Sequence, residues 1–186
     1  MQYEPEGKRA VDLVLATLGL ALTAPVILIA ALAIRLTSPG PAVFAQTRLG
    51  RNEAPFRCLK LRTMAAGTLS LPTHEVAASA ITPLGHWLRR CKIDELPQLW
   101  NVLCGEMSLV GPRPCLPEQA ALIAARRRGG VFSVRPGISG LAQVRGIDMS
   151  APDRCAASDA DYAAQPSLAR DLHILAATVV SAVPRP

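Results

Sequence analysis

The hydrophobic pattern of this chain begins with one long apolar run and then breaks into short segments. Residues 13–34 carry no formal charge, and a helix of that length, at ~1.5 Å per residue, reaches across roughly 30 Å of hydrocarbon. The pattern therefore predicts one helix that is long and apolar enough to cross a bilayer. A cleavable signal peptide is not expected, because the run is too long and no small-residue cleavage site follows it.

A proline and the flanking charges change the picture of this helix. Pro25 lies near the middle of the run, where proline removes a backbone hydrogen bond and kinks a helix. Lys8 and Arg9 precede the run and Arg35 follows it, so the positive-inside rule places both ends on the cytoplasmic side. These features favour a re-entrant helix that bends near Pro25 and returns, with a straight single-pass anchor as the alternative. Asp12 would be costly in hydrocarbon unless paired, and we expect Lys8 or Arg9 to pair with it.

Beyond the apolar run, the pattern predicts a short, strongly basic β-hairpin. Residues 42–49 and 56–61 are typical of two strands, joined through residues 50–53. Lys60 and Arg62 are two positions apart, so both lie on one face of the second strand or its extension. Most of the positive charge of such a hairpin serves solvation or contact with lipid headgroups.

Helical periodicity predicts four further helices after a polar loop at residues 65–80, which is a candidate lid. These helices cover residues 82–91, 94–103, 117–128 and 168–184. The expected buried faces comprise Leu84, Trp87, Leu88 and Cys91 in the first helix, Leu96, Leu99, Trp100 and Leu103 in the second, and Leu168, Leu172, Leu175 and Val179 in the last. The last stripe packs in the core or lies along the membrane surface, and core packing is preferred.

Two adjacent carboxylates, Asp94 and Glu95, occupy the predicted first turn of the second of these helices. Neighbours in sequence do not share a helix face, so they meet one ligand only at a helix end. One interpretation is structural, with an N-cap followed by a favourable first-turn charge. In the other, the helix dipole and the cations Arg89, Arg90 and Lys92 keep both carboxylates ionised. One carboxylate is then a nucleophile, and the other holds a divalent metal.

Two later segments offer groups for anions. Arg113 stands between Pro112 and Pro114, which restrict its backbone and hold its guanidinium ready for a phosphate; a structural loop arginine is the alternative. Residues 133–146 are rich in glycine, with backbone N–H groups available to anions, but they lack GxGxxG or Walker spacing. The arginines at 126–128 complement a helix end and are assigned no chemistry.

Composition agrees with a membrane-bound protein held together without disulfides. Half of the 186 residues are hydrophobic, and the formal net charge is +6. The five cysteines are odd in number and form no CxxC pair or zinc spacing, which predicts reduced thiols in a cytoplasmic setting. The charge also admits a rival function, a membrane-tethered module that binds anionic lipid or nucleic acid without catalysis. That rival gives no reason for paired carboxylates beside cations.

Several short strings, taken in their order along the chain, carry a family resemblance. The strings are Lys8-Arg9 with Asp12, Ala24-Pro25, and residues 37–41, 60–64, 94–99, 108–114, 135–137 and 142–144. Together they resemble the small monotopic phosphoglycosyl transferases, bacterial membrane enzymes that begin glycan assembly on a polyprenyl phosphate. No single string is specific, but the set covers nearly the whole chain.

The resemblance implies a mixed α/β fold with a short β-hairpin and several helices. Residues 1–36 would form a re-entrant membrane helix broken at Pro25, and residues 37–186 a compact catalytic domain that makes one structural unit with it. The implied location is the cytoplasmic face of the bacterial inner membrane.

The resemblance also implies a two-step reaction. Asp94 would attack the β-phosphate of a UDP-sugar, release UMP and retain the phosphosugar, which polyprenyl (undecaprenyl) phosphate then attacks. Glu95 is associated with the Mg²⁺ that the reaction needs. Direct attack by polyprenyl phosphate, with Asp94 as base or metal ligand, is the alternative mechanism. The implied partners are the two substrates, an anionic bilayer and downstream glycosyltransferases, and no nucleic acid.

Substrate contacts are expected from residues spread along the chain: Lys60, Arg62, Arg89, Arg113, Gln143, Arg145 and Asp159. Two departures from the family pattern place some contacts in question. The family often reads Asn-Gly-Arg after Gln-Val, whereas here Arg145 follows Val144 directly. Asp161 stands where the family tends to show an aromatic residue. Residues 111–118 resemble members that use N-acetylated amino sugars, so such a sugar is expected.

Overall fold

The computed structural model describes residues 7–65, 67–68 and 80–182. The candidate lid at residues 65–80 therefore lies mostly outside the described residues. The helices are α1 (Lys8–Thr37), α2 (Pro83–Arg90), α3 (Gln98–Leu103), α4 (Ala120–Arg128), α5 (Leu141–Val144), α6 (Pro152–Ala164) and α7 (Leu168–Ala182). The strands are β1 (Val43–Leu49), β2 (Pro55–Leu61), β3 (Ser108–Val110) and β4 (Gly137–Ser139). The prediction of a mixed α/β fold with a short hairpin and several helices is confirmed.

The predicted hairpin forms between β1 and β2. The strands are antiparallel, with Val43 opposite Leu61 at one end and Leu49 opposite Pro55 at the other. A short 3₁₀ turn at Arg51–Glu53 connects them. This hairpin carries Lys60 towards the carboxylates near the start of α3.

A second, parallel pair of strands was not predicted. Ser108 of β3 lies opposite Gly137 of β4, although their segments read as loops in the sequence. The two backbones approach so closely that a Cβ at Gly137 would lie 2.0 Å from the nitrogen of Gly111. Only glycine fits this approach. The pairing places the loop that carries Arg113 beside residues 135–140.

Helix α1 lies along the rest of the fold with one face. Ala16 packs in a cluster with Phe56 and Cys58, and Ile34 packs in another with Leu61 and Leu88. The helix continues through Pro25. The opposite face is apolar and exposed, and it comprises Leu13, Val14, Leu15, Leu18, Leu22, Val26, Leu28, Ile29, Leu32 and Leu36. Within the described residues, α1 is the one helix long and apolar enough to cross a membrane.

The start of α1 is held by a buried polar network. Lys8 Nζ forms an ion pair with Asp171 Oδ2 of α7 at 2.5 Å and donates to the carbonyl oxygen of Val110 at 3.1 Å. The hydroxyl of Tyr162 donates to Asp171 Oδ1 at 2.6 Å. Burial and the neighbouring Asp171 carboxylate raise the pKa of Tyr162 far above its usual range, so it remains a donor. The network joins the first helix of the chain to the last.

The expected pairing of Asp12 with Lys8 or Arg9 is wrong. Asp12 Oδ1 instead accepts a hydrogen bond from the backbone N–H of Leu109 at 3.1 Å. Arg9 donates to the carbonyl oxygens of Val102 and Leu103, at the C-terminal end of α3, where the helix dipole favours a cation. Lys8, Arg9 and Asp12 therefore bond to groups in distant parts of the chain and not to one another.

The predicted apolar stripes of α2, α3 and α7 are only partly buried. The exposed members are Trp87, Cys91, Trp100, Leu168, Leu172 and Val179. In α3, Asn101 is buried, because its side chain accepts from Leu59 N at 3.0 Å and donates to the carbonyl oxygen of Arg57 at 2.8 Å. In α7, Asp171 and Ile174 face inward. The predicted buried faces are therefore wrong at these six positions, and in α7 three of the four stripe residues are exposed, so the expected core packing of that stripe is not found. Polar side chains with specific partners occupy part of the interior.

Candidate active site

The carboxylates of Asp94 and Glu95 lie in a 3₁₀ turn, Ile93–Glu95, that precedes α3. This corrects the prediction that they begin the α-helix itself. In a 3₁₀ turn, consecutive side chains diverge by about 120°, because there are three residues per turn. The two adjacent carboxylates therefore meet different surroundings.

Glu95 is held by two cations from other parts of the chain. Its Oε1 accepts from Lys60 Nζ at 2.8 Å and from Arg113 Nη2 at 2.5 Å. Burial alone would raise the pKa of Glu95, but the charges and hydrogen bonds of Arg113 and Lys60 outweigh it and hold that pKa well below its usual range. Glu95 is therefore an ionised carboxylate at neutral pH.

Asp94 is buried, with 6% of its surface exposed. It accepts no hydrogen bond from the described part of the chain. Burial raises its pKa, and the neighbouring Glu95 raises it further, while Lys60, Arg89 and Lys92 act in the opposite direction. The expectation that cations dominate the ionisation of both carboxylates is thus wrong for Asp94. Its carboxylate is more basic than that of an ordinary aspartate.

Asp94 and Glu95 line a cavity of about 400 Å³ together with predicted substrate-binding residues. Those residues are Lys60, Arg62, Arg89 and Arg113. Arg89 donates from Nε to Thr63 Oγ1 at 2.8 Å, and Arg62 donates to the carbonyl oxygens of Ser38 and Pro39. Thus four cations predicted from the sequence meet at one site, although Arg62 also ties the chain after α1 to the hairpin. Arg90, expected to support Asp94, is exposed and lines neither this cavity nor the next.

A second cavity, of about 530 Å³, adjoins the first and is lined by Gln143 and Asp159. Arg145, also predicted to contact substrate, lines neither cavity. It donates to Ser158 Oγ at 3.2 Å and pairs with Asp161 Oδ2 at 3.0 Å. Arg145 and Asp161 are the two positions at which this chain departs from the family pattern, and they form an ion pair with each other.

Arg126 was expected only to complement a helix end. It is 2% exposed, pairs with Asp159 Oδ2 at 2.6 Å, and donates from Nη1 to the carbonyl oxygen of Arg113 at 2.9 Å. Its charge suggested a solvated helix end. Its spacing from the buried Leu122 and Ile123, four and three residues earlier, was the available signal that it points inward.

Arg48 was expected to be a solvated or headgroup-facing charge of the hairpin. It donates to the carbonyl oxygen of Pro114 at 2.8 Å and to Gln46 Oε1. Burial and the nearby Arg113 lower its pKa. Arg126 and Arg48 thus hold the carbonyl oxygens of two adjacent loop residues, Arg113 and Pro114.

The donor set at the two carboxylates fits Mg²⁺ in its usual protein environment. Mg²⁺ is commonly bound by one or two carboxylates together with substrate phosphates, and Asp94 and Glu95 supply carboxylates beside a cavity lined with cations. No cluster of three or more metal-ligating side chains occurs among residues 7–65, 67–68 and 80–182. Mg²⁺ usually takes its other ligands from water and substrate phosphates.

Comparison with known proteins identifies the family. Residues 3–185 match the family described as bacterial sugar transferase. The chain belongs to this family. The prediction of a phosphoglycosyl transferase is thereby confirmed at the level of the enzyme class.

Three named relatives match between 74% and 96% of this chain. The UDP-glucose:undecaprenyl-phosphate glucose-1-phosphate transferase of Caulobacter vibrioides is 46% identical over 183 residues, which are 94% of this chain and 68% of the relative. The exopolysaccharide production protein PSS of Rhizobium leguminosarum is 38% identical, and the match covers 96% of this chain and 96% of the relative. The UDP-N-acetylgalactosamine-undecaprenyl-phosphate N-acetylgalactosaminephosphotransferase of Aeromonas hydrophila is 40% identical over 74% of this chain, but the match spans only 33% of that relative.

Proposed function

We propose that this sugar transferase moves a sugar 1-phosphate from a UDP-sugar to polyprenyl phosphate and releases UMP, with Asp94 as the nucleophile. The observation that carries the proposal is the difference between two adjacent carboxylates. Glu95 is clamped by Lys60 and Arg113, whereas Asp94 is buried without a hydrogen-bond donor among the described residues and has a raised pKa. Surroundings that drive two pKa values apart are a sign of distinct catalytic roles.

In the first step, an Asp94 carboxylate oxygen attacks the β-phosphorus of the UDP-sugar. The bond between that phosphorus and the oxygen bridging to the α-phosphate breaks, and UMP leaves with the bonding electron pair. Asp94 then carries the phosphosugar as a mixed anhydride. Partial desolvation and raised basicity both make a carboxylate a better nucleophile.

In the second step, a phosphate oxygen of polyprenyl phosphate attacks the phosphorus of this adduct. The bond from phosphorus to Asp94 breaks, which restores the carboxylate and forms the polyprenyl diphosphate sugar. Lys60, Arg89 and Arg113 line the same cavity as Asp94, and their charges offset the repulsion between an anionic nucleophile and anionic phosphates.

Glu95, with Asp94 beside it, would hold Mg²⁺ in the presence of substrate. The metal would supply neutralisation of diphosphate charge. Among the described residues, Glu95 Oε2 accepts only one long hydrogen bond, from Arg113 Nη1 at 3.5 Å, so this oxygen is the less engaged of the two. The low pKa of Glu95 keeps it in the anionic form that a metal requires.

The contacts of α1 support a re-entrant membrane helix. Lys8 at its start pairs with Asp171, and Ile34 near its end packs with Leu61 and Leu88. Both ends thus contact one catalytic domain. A helix that crossed ~30 Å of hydrocarbon would place its two ends on opposite sides of the bilayer. Contacts of one domain with both ends therefore favour the re-entrant arrangement over the spanning one.

This arrangement favours a location on the cytoplasmic face of the bacterial inner membrane. The exposed apolar face of α1 would lie in lipid, and the net charge of +6 would attract anionic headgroups. Downstream glycosyltransferases would then extend the polyprenyl-linked product. The sugar remains a prediction, with an N-acetylated amino sugar expected; relatives are named for glucose as well as for N-acetylgalactosamine.

The test is to trap the covalent intermediate. Full-length protein with UDP-sugar and Mg²⁺, but without polyprenyl phosphate, should gain the mass of one phosphosugar, which peptide mapping should localise to Asp94. A panel of UDP-sugars, including UDP-glucose and N-acetylated amino sugars, identifies the donor. Asp94→Asn, which keeps the shape of the side chain, should form no adduct and release no UMP. UMP that appears only when polyprenyl phosphate is present, without any adduct, would establish direct transfer instead. An adduct on Glu95 would reverse the roles of the pair.

A further inference from the structure

The two cavities of the active site share a boundary formed by three cations. Arg48, Lys92 and Arg113 line both of them. Asp94 lines only the first cavity, whereas residues 146–149 line only the second. A ligand that occupies both cavities must therefore place its central part beside these cations.

Two of the three shared cations are engaged by protein groups. Arg113 pairs with Glu95 at 2.5 Å, and Arg48 donates to Gln46 Oε1 and to the carbonyl oxygen of Pro114. Lys92 is exposed, and its ammonium group makes no hydrogen bond or ion pair within residues 7–65, 67–68 and 80–182. Its charge is thus available to a ligand at the boundary.

The backbone of Lys92 is held in an unfavourable conformation. Its φ is 58° and its ψ is 16°, which is the left-handed region that glycine adopts readily and that other residues rarely adopt. Glycine at this position would relieve the strain. Lys92 lies two residues before Asp94.

This inference rests on the proposed function. The phosphorus that Asp94 attacks must lie in the first cavity, because Asp94 lines the first cavity and not the second. The departing phosphate is joined to this phosphorus through one oxygen and so lies next to it. We propose that Lys92 binds the α-phosphate of the uridine nucleotide at the boundary, and that the nucleoside lies in the second cavity.

The chemistry of lysine suits this position. Negative charge grows on the α-phosphate as the bond to the bridging oxygen breaks, and a fixed cation beside it stabilises the departing group. An ammonium on a flexible stem with rotatable donors follows a phosphate as it moves away, whereas a guanidinium in a planar fork does so less readily. Lys92 would thus stay with UMP while Arg113 stays with Glu95.

The first experiment compares UMP with uridine. Binding of each to full-length, detergent-solubilised protein is measured by calorimetry for wild type, Lys92→Met and Arg90→Met. Lys92→Met should weaken UMP binding about tenfold or more, the usual scale for a charged hydrogen bond, and leave uridine binding unchanged. Arg90→Met removes the same charge from an exposed residue outside both cavities and should leave both affinities at the wild-type value.

A second variant separates a role in binding from a role in folding. Lys92→Gly should unfold at a higher temperature than wild type, because it relaxes the left-handed backbone, and should lose UMP affinity as Lys92→Met does. The proposal is overturned if both Lys92 variants bind UMP like wild type. It is equally overturned if they lose UMP and uridine alike, or if Arg90→Met causes the same loss.

A photochemical probe tests the placement of the nucleoside. Irradiation of the wild-type protein with 4-thio-UMP, followed by trypsin, should crosslink the peptide of residues 146–154, which contains four residues of the second cavity. A crosslink to Pro41 or Phe44, which line the first cavity and not the second, would overturn the placement. Failure of the proposed function is seen separately, as the absence of UMP release from UDP-sugars by wild type.

Discussion

Arg126 donates from Nη1 to the carbonyl oxygen of Arg113 at 2.9 Å, while its other nitrogens pair with Asp159. Arg126 is 2% exposed and Asp159 1%. The side chain of Arg113 in turn clamps Glu95. A buried ion pair behind the site thus holds the backbone of an arginine that faces the carboxylates.

Arg126→Met should destabilise the protein by about 3 kcal/mol, because it leaves the carboxylate of Asp159 buried without its cation. The matched control is Arg128→Met, since Arg128 pairs with the exposed Asp153 only at 3.6 Å and such a pair contributes little. The measurement is urea unfolding of detergent-solubilised protein. The double variant Arg126→Met with Asp159→Leu should recover part of the loss. Equal stability of Arg126→Met and Arg128→Met would show that the pair does not stabilise the fold.

Asp94→Asn should make the protein more stable at pH 7. Because burial and Glu95 raise the pKa of Asp94 above its ordinary 3.8, the folded state holds this proton more tightly than the unfolded chain. Wild-type stability therefore falls as pH rises from 3.8 through the folded pKa. The melting temperature of Asp94→Asn should exceed that of wild type at pH 7, and the difference should shrink in acid. Asp153→Asn, on the surface of α6, is the control. A lower melting temperature for Asp94→Asn at pH 7 would contradict the raised pKa.

Glu95→Gln should have the opposite effect on stability. Lys60 and Arg113 would lose their shared anion, and the expected cost is roughly 2 kcal/mol, the scale for leaving a partly buried charged group unsatisfied. The low pKa of Glu95 means that its contribution is fully present above the ordinary 4.5 and is lost as pH falls through the folded pKa. The gap in melting temperature between wild type and Glu95→Gln should thus stay constant from about pH 5 to 8 and close only in stronger acid. A gap that changes near neutral pH would exclude this explanation.

Membrane topology is testable by cysteine labelling from outside intact cells. Cys91 and Cys104 are exposed and are first replaced by serine, while the other three cysteines are buried. A single cysteine placed within residues 2–7 or within residues 38–42 should be protected in both cases, because both ends of a re-entrant helix face the cytoplasm. Labelling of the first site with protection of the second would establish a spanning helix. Pro25→Ala should bias the helix towards spanning, since it restores the missing backbone bond.

Local patterns predicted several elements of this fold that depend on near neighbours, although helix α6 was not among them. The long apolar helix, the antiparallel hairpin and the helix that begins at Pro83 follow from hydrophobic periodicity and capping, and the structure contains all three. The parallel pairing of Ser108 with Gly137 was not predictable in this way, because it joins two short segments far apart in the chain. The 3₁₀ turn at Asp94 was read as α-helix because both conformations place acidic residues ahead of the same apolar pattern.

The sequence by itself predicted the candidate reacting groups, since the residue types and their order along the chain indicate carboxylates meeting phosphates beside an apolar helix. Only the tertiary structure decided which cation bonds to which carboxylate or carbonyl group. Lys8 pairs with Asp171 instead of Asp12, Arg126 supports Arg113, and Arg145 turns away to Asp161. A long cationic side chain can reach many carboxylates, and the one it meets depends on how distant segments pack. That packing, and not spacing along the chain, left Asp94 buried without a partner among the described residues while Glu95 received two.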